Sequence, residues 1–311
     1  MTPTDIDVLN YYPLAGGRLP PSSTRTAPLA SLEGPLGHTF QLDQYYHLFR
    51  ENKLRCQSED PGKYFACEPG FDVSPINEHI VATLVREHPE AFERRGDELH
   101  CHPTGDVLSL AGGLSEHELF AALALQVPED LVVLALRPDG TDRVTHAHLT
   151  SASEWSAGWA VGRSFADIHE GVRRSNGELV IRHPTGMVRG IINMPGPVQR
   201  VGALTFRPDL LLNRHPDNIT PDRWHWGPDQ LALLRFERQT VTPFRELGAF
   251  LFTVRTYYCD LTRPDRLPGA VEALRRGEPE AYQRRFLAEH GNSLLTWLEA
   301  RGNLLVNDAL V

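Results

Sequence analysis

A chain of 311 residues has ample length to bury a core and suits one large or two small domains. Its net charge of -9 is the wrong sign for a nucleic-acid groove, which needs clustered lysine and arginine. No apolar run approaches the roughly 20 residues of a membrane helix and no basic-then-apolar leader opens the chain, so the expected compartment is the cytoplasm.

Residues 1–37 are rich in Pro, Gly, Ser and Thr without periodicity, and read as an extended arm over the surface. Helices are predicted over 41–55 and 74–95, the second opened by Ser74 with Pro75 in its first turn. Short strands follow near 97–101, 107–110, 131–136 and 143–149, with Pro138-Asp139-Gly140-Thr141 turning the last pair into a hairpin. A helix near 158–170 and strands near 179–182, 200–206 and 249–257 come next. Residues 268–301 return to an amphipathic helical pattern, through Val271, Leu274, Tyr282, Phe286, Leu294 and Leu298. Helices flanking a mostly antiparallel sheet make an α+β fold. No internal repeat or long linker divides it.

The four cysteines, Cys56, Cys67, Cys101 and Cys259, contain no C-x-x-C pair, so neither a clustered zinc site nor a ferredoxin is encoded by spacing. Cys56 and Cys67 are expected as reduced thiols, with a disulfide as the alternative. No G-x-S-x-G or P-loop appears, and the glycine pairs at 16–17 and 112–113 lack a dinucleotide fingerprint.

Three groups of residues carry candidate chemistry. At helical spacing Gly162, Phe165, Ala166 and His169 share one face, which offers an imidazole, an aromatic wall and clearance for a flat ligand. The alternative is a histidine satisfied at a helix C-terminus. Leu234–Tyr257 opens with Arg235, Glu237, Arg238 and Gln239 and closes in an alternating run with Arg255. Buried arginines require an anion, from the protein or from a ligand, whereas the plainer reading is a helix end with surface ion pairs. Gly140-x5-His146-x-His148-x5-Glu154 nearly copies the first metal motif of the cupins, and His146, His148 and Glu154 would make a facial iron triad. The second cupin histidine is missing after Gly190–Gly196. Trp155, Trp159, Trp224, Trp226, Tyr257 and Tyr258 are the aromatics available to a cation–π cage.

The ERQTVT…LFTVRTY stretch resembles a signature of the haem-dependent oxidative N-demethylase alpha-subunit family. Three other segments resemble that family in the same order: Gln41–Tyr46 with Lys53, Pro128-Glu129-Asp130-Leu131, and Trp155–Val172 with its Ile168-His169. Glu170-Gly171-Val172 stands where the family usually has Pro-Val-Pro. The resemblance covers roughly residues 38–262 and implies a PAS-like, haem-binding domain over 38–265, with the helices of 266–311 packed on it. It implies haem b bound through His169 as the proximal ligand, with Gly162 and Phe165 beside it and Arg238 or Arg255 on a propionate. It further implies a monooxygenase that oxidises a small amine with O2, by N-demethylation or N-oxygenation, using electrons from an external reductase or ferredoxin. No catalytic residue beyond the cofactor contacts is assigned. A haem or gas sensor is the alternative within the same fold, and the His146/His148/Glu154 non-haem oxygenase the alternative outside it.

Overall fold

The computed structural model describes residues 13–14, 16–17, 26–152, 155–170, 181–218, 231–276 and 291–302. In chain order the strands are β1 (Ala27–Pro28), β2 (Phe65–Cys67), β3 (Phe92–Arg95), β4 (Glu98–Cys101), β5 (Asp106–Ser109), β6 (Asp130–Leu136), β7 (Asp142–His148), β8 (Val198–Arg207), β9 (Leu233–Phe244) and β10 (Ala249–Asp260). The helices are α1 (Tyr46–Glu59), α2 (Pro61–Tyr64), α3 (Ser74–Glu87), α4 (Glu116–Ala124), α5 (Ala157–Ala160), α6 (Phe165–Ile168), α7 (Pro184–Ile192) and α8 (Leu267–Arg276), with a further helix over 291–302. Seven strands form one open sheet in the order β1-β8-β9-β10-β6-β7-β2, every neighbouring pair antiparallel, and β3-β4-β5 form a small second sheet. The expected α+β class is present.

The frame is the β9–β10 hairpin, two strands of 12 residues in continuous register. Its turn is a single 3-10 turn, Arg245–Leu247, closed by Gly248 at φ +60°. A Cβ there would lie 3.3 Å from the Leu136 carbonyl, so both backbone sign and space favour glycine.

Directly opposed residues of antiparallel strands share a face, which sorts the polar residues of this sheet. Leu131, Val133, His146, His148, Leu251, Arg255 and Arg238 fall on one side. There Leu131, Val133 and Leu251 pack with Ile76, Ile80 and Leu84 of α3 and Phe120 and Leu123 of α4. Val132, Leu134, Val144, Ala147, Phe250, Gln239, Glu237 and Arg235 fall on the other. On that side the apolar members meet Phe165 and Ile168 of α6 and Val188, Ile191 and Ile192 of α7. Ala270 and Ala273 of α8 and Leu294 and Leu298 of the last helix pack on Leu234, Phe236, Tyr257 and Cys259, so the C-terminal helices join the same core, together with Leu14 of the arm.

Lys53 is fully buried in α1 and donates to the carbonyls of Ala124 (2.7 Å), Val127 (2.8 Å) and Glu129 (2.5 Å). It thereby caps the C-terminus of α4 and the start of β6. Burial pushes its pKa down to about 8, against the attraction of Asp130 and Glu129. Lys53→Met is expected to cost about 2–4 kcal/mol in urea unfolding, since it orphans buried carbonyls instead of removing a surface charge.

Several expected elements change form. The helix expected over 74–95 stops at Glu87, because Pro89 holds His88 out of the helical region, and Phe92–Arg95 becomes a strand. The helix expected over 158–170 is two single turns, α5 and α6, broken at Gly162 with φ +83°. The backbone there pairs instead with β7: Gly162 N donates to the Val144 carbonyl and Val144 N to the Arg163 carbonyl, both at 2.9 Å. Residues 181–182 are not strand, and the rest of the segment expected at 179–182 lies outside the described residues. The charged stretch from Arg235 is neither a helix end nor a surface patch. It is the interior of β9, with Arg235 and Arg238 at 0% and 1% exposure.

Candidate functional site

His169 follows α6 as its C-terminal residue, and the short segment holding it is fixed at both ends. Ser164 and Asp167 cap α6 reciprocally, and the Asp142 carboxylate of β7 accepts from Phe165 N at 2.5 Å. His169 Nδ1 lies 2.8 Å from the Phe165 carbonyl, a bond only an Nδ1–H can donate. That assigns the proton to Nδ1 and leaves the lone pair on Nε2. The ring packs against Phe165 at 4.3 Å and edge-on to Trp155 at 5.5 Å. Burial lowers its pKa; the Phe165 carbonyl opposes this and Arg200 adds to it, so the ring is neutral near pH 7.

Arg200 of β8 lies on the same side of the sheet as Gln239, Glu237 and Arg235 of β9. Its Nε donates to Gln239 Oε1 at 2.7 Å, Gln239 Nε2 donates to Glu237 Oε2 at 2.8 Å, and Arg235 Nη2 donates to Glu237 Oε1 at 2.8 Å. A polar relay therefore crosses β8 and β9 beside the apolar layer of α6 and α7. Burial lowers the Arg200 pKa while Glu237 raises it. In the middle of the sheet the cross-strand pair Val241 and Phe252 is only partly covered, although Phe252 is the one residue of β10 that is not buried. An imidazole with a free lone pair, a guanidinium and an incompletely covered apolar floor thus share one face. Such a face suits a flat, anionic, metal-centred ligand.

The other expected contacts fall elsewhere. Gly162 is exposed in the turn before α6, and with the helix broken, Gly162, Phe165 and His169 do not form one helical stripe; only Phe165 stays against the ring. Arg238 and Arg255 point to the opposite side of the sheet from His169, toward α1 and the arm. Arg238 donates through Nη1 and Nη2 to the carbonyls of Thr39 (3.2 Å), Leu36 (3.0 Å) and His38 (2.5 Å), and through Nε to Gln199 (2.7 Å). Arg255 pairs with Asp43 at 2.7 Å and stacks over Phe49 at 3.7 Å. The anion these arginines call for is met by carbonyl dipoles and by Asp43. Glu237 pairs with Arg235, not Arg238, because residues i and i+2 of a strand share a face and i and i+1 do not.

Among the described residues the aromatics build no common cage: Tyr257 stacks on Phe236, Tyr258 donates to the Leu211 carbonyl, and Arg163 sits over Trp159. Trp224, Trp226 and Glu154 lie outside the described residues. His146 and His148 do share a face of β7, but the described residues bring His146 together with Cys67 and His117, not with His148. None of the four cysteines forms a disulfide. Sequence reasoning missed Arg200, whose signal was weak: an arginine in a strand pattern with no anionic motif beside it.

The structure is an antiparallel α+β sheet with helices on both faces, not the parallel sheet of a dinucleotide fold. The chain belongs to the family described as haem-dependent oxidative N-demethylase, alpha subunit-like, which it matches over residues 33–282. No curated protein matches it. No helix among the described residues is long and apolar enough to cross a membrane. The family description makes an oxidoreductase activity dependent on haem the general expectation for this fold.

Proposed function

We propose that this chain is the haem-binding, amine-oxidising subunit of a monooxygenase, with haem b held on the α6–α7 face of the sheet. The supporting observation is that His169 has its proton fixed on Nδ1 while its Nε2 lone pair lies on the same face as Arg200. His169 Nε2 would ligate the iron, the Nη edge of Arg200 would meet a propionate, and Trp155, Phe165, Val241 and Phe252 would flank the macrocycle. Bound haem supplies the one-electron and O2 chemistry that no side chain of the protein provides. The protein's share is to keep the imidazole neutral and oriented through the Phe165 carbonyl. It also lowers solvent access by packing α6 and α7 on the sheet, and holds Glu237 paired on both oxygens so that no unpaired carboxylate competes with the propionates. The substrate is a small N-methylated amine, leaving either formaldehyde and a demethylated amine or an N-oxygenated product.

Electrons come from outside the chain in this reading. All pairings in the seven-stranded sheet are antiparallel, whereas a dinucleotide domain needs a parallel one, and the four scattered cysteines give no ferredoxin spacing. The test uses purified protein carrying haem, a secondary N-methylamine, NADPH and catalase, with and without a flavin reductase and ferredoxin. Formaldehyde or a hydroxylamine is expected only with the carriers present, and which of them appears assigns the reaction. Sustained turnover on NADPH alone would remove the need for a partner. An intense Soret band without amine-dependent oxygen uptake would support the sensor instead.

A further inference from the structure

On the sheet face opposite His169, three side chains from three elements converge on one point. Cys67 of β2 and His146 of β7 are direct cross-strand partners, and His117 reaches them from the first turn of α4. One ligand atom from each lies within 4.8 Å of the others, with His117 Nδ1 and His146 Nε2 only 2.8 Å apart. We propose that Cys67, His117 and His146 form a zinc site, a site independent of the haem reading.

Four features support it. First, the two imidazoles turn their inner nitrogens on each other while their outer nitrogens have oxygens to face. His146 Nδ1 lies 3.3 Å from Thr145 Oγ1, and His117 Nε2 lies 3.8 Å from Glu116 Oε1. The Thr145 hydroxyl is thus placed as the outer partner that orients a ligating histidine, while the Glu116 carboxylate lies near His117 but beyond hydrogen-bond distance. Second, the elements are anchored. Ser115 and Glu118 cap α4 reciprocally, and a register shift between Val133 and Leu134 sets the β7 backbone beside His146. Third, the donors are one thiolate and two imidazoles, a set that selects zinc over magnesium or calcium. Tetrahedral zinc with bonds of about 2.0–2.3 Å spaces its ligands about 3.4–3.6 Å apart, so small side-chain rotations suffice. Fourth, His146 is fully buried between the Phe71 and Phe120 rings, whereas Cys67 and His117 are half-buried. Three protein ligands with one open side leave a fourth position for water or a small anion. On binding, the Cys67 thiol loses its proton to solvent and the S–Zn bond forms; no oxidant or reductant is involved.

The test is zinc alone on the full haem-loaded chain. After dialysis against a weak chelator, wild-type protein is expected to keep stoichiometric zinc by mass spectrometry. X-ray absorption at the zinc edge, to which haem iron is silent, should show one sulfur and two nitrogen neighbours. Cys67→Ala and His117→Gln, both at half-buried positions, should lose zinc by more than the 10–100-fold typical of an outer-shell partner. Circular dichroism of His117→Gln separates metal loss from unfolding. A wild-type protein that retains no zinc, or equal retention in both ligand variants, overturns the proposal.

Discussion

His169→Gly is expected to lose nearly all its haem, with the Soret band restored by millimolar imidazole. The reason is local. The Phe165 carbonyl fixes the ring's proton on Nδ1, and burial keeps Nε2 free of a second proton, so one side chain carries the whole donor. The proposed flanking residues Trp155, Phe165, Val241 and Phe252 are untouched by the change, which is why free imidazole is expected to bind. Circular dichroism and the urea midpoint should barely move, because His169 terminates a single turn and not a long helix. An unchanged Soret band and spin-resonance signal would pass the ligand role to His183, which precedes α7.

Arg255→Ala and Arg200→Ala are expected to fail in different ways, although both remove an arginine from the same sheet. Arg255 is fully buried against Asp43, whose side chain is 11% exposed, and its Nε and Nη1 have no hydrogen-bond partner. Truncation leaves a cavity under Phe49 and a carboxylate without its cation, a loss of about 3–5 kcal/mol in urea unfolding. Haem affinity of the folded fraction should be unchanged, since Arg255 faces away from His169. Arg200→Ala should shift stability by about 1 kcal/mol or less while weakening haem retention about tenfold or more, as expected for one charge-assisted contact. Equal haem affinity in Arg200→Ala and wild type would leave Arg200 as a structural member of the Gln239–Glu237 relay.

Much of the scaffold was legible in the residues. Pro138–Thr141 between two short strand patterns marked the β6–β7 hairpin. The signal is local, set by turn chemistry, since these strands are buried on both faces. β9 was not legible as a strand, because its polar residues are buried on both faces and no alternation survives. Nor were α4 and α7, each only nine residues long and so too short to fix a period. His169 was found through its Ile168-His169 context, but the stripe with Gly162 assumed a helix that Gly162 itself breaks.

The sequence by itself determined the α+β class and the family, because each rests on local pattern or on ordered motifs, and it singled out His169 as the ligand proposed here. Only the tertiary structure decided that Arg235 and Arg200, and not Arg238 or Arg255, share a sheet face with that histidine. Strand parity sends Arg238 and Arg255 to the arm and α1 while Arg200, on a neighbouring strand 38 residues before Arg238 in sequence, turns toward His169. The same parity gathers Cys67, His117 and His146 on the far side, from elements that no linear spacing connects. Pleat and register are properties of strand pairing, and pairing is settled by the whole sheet.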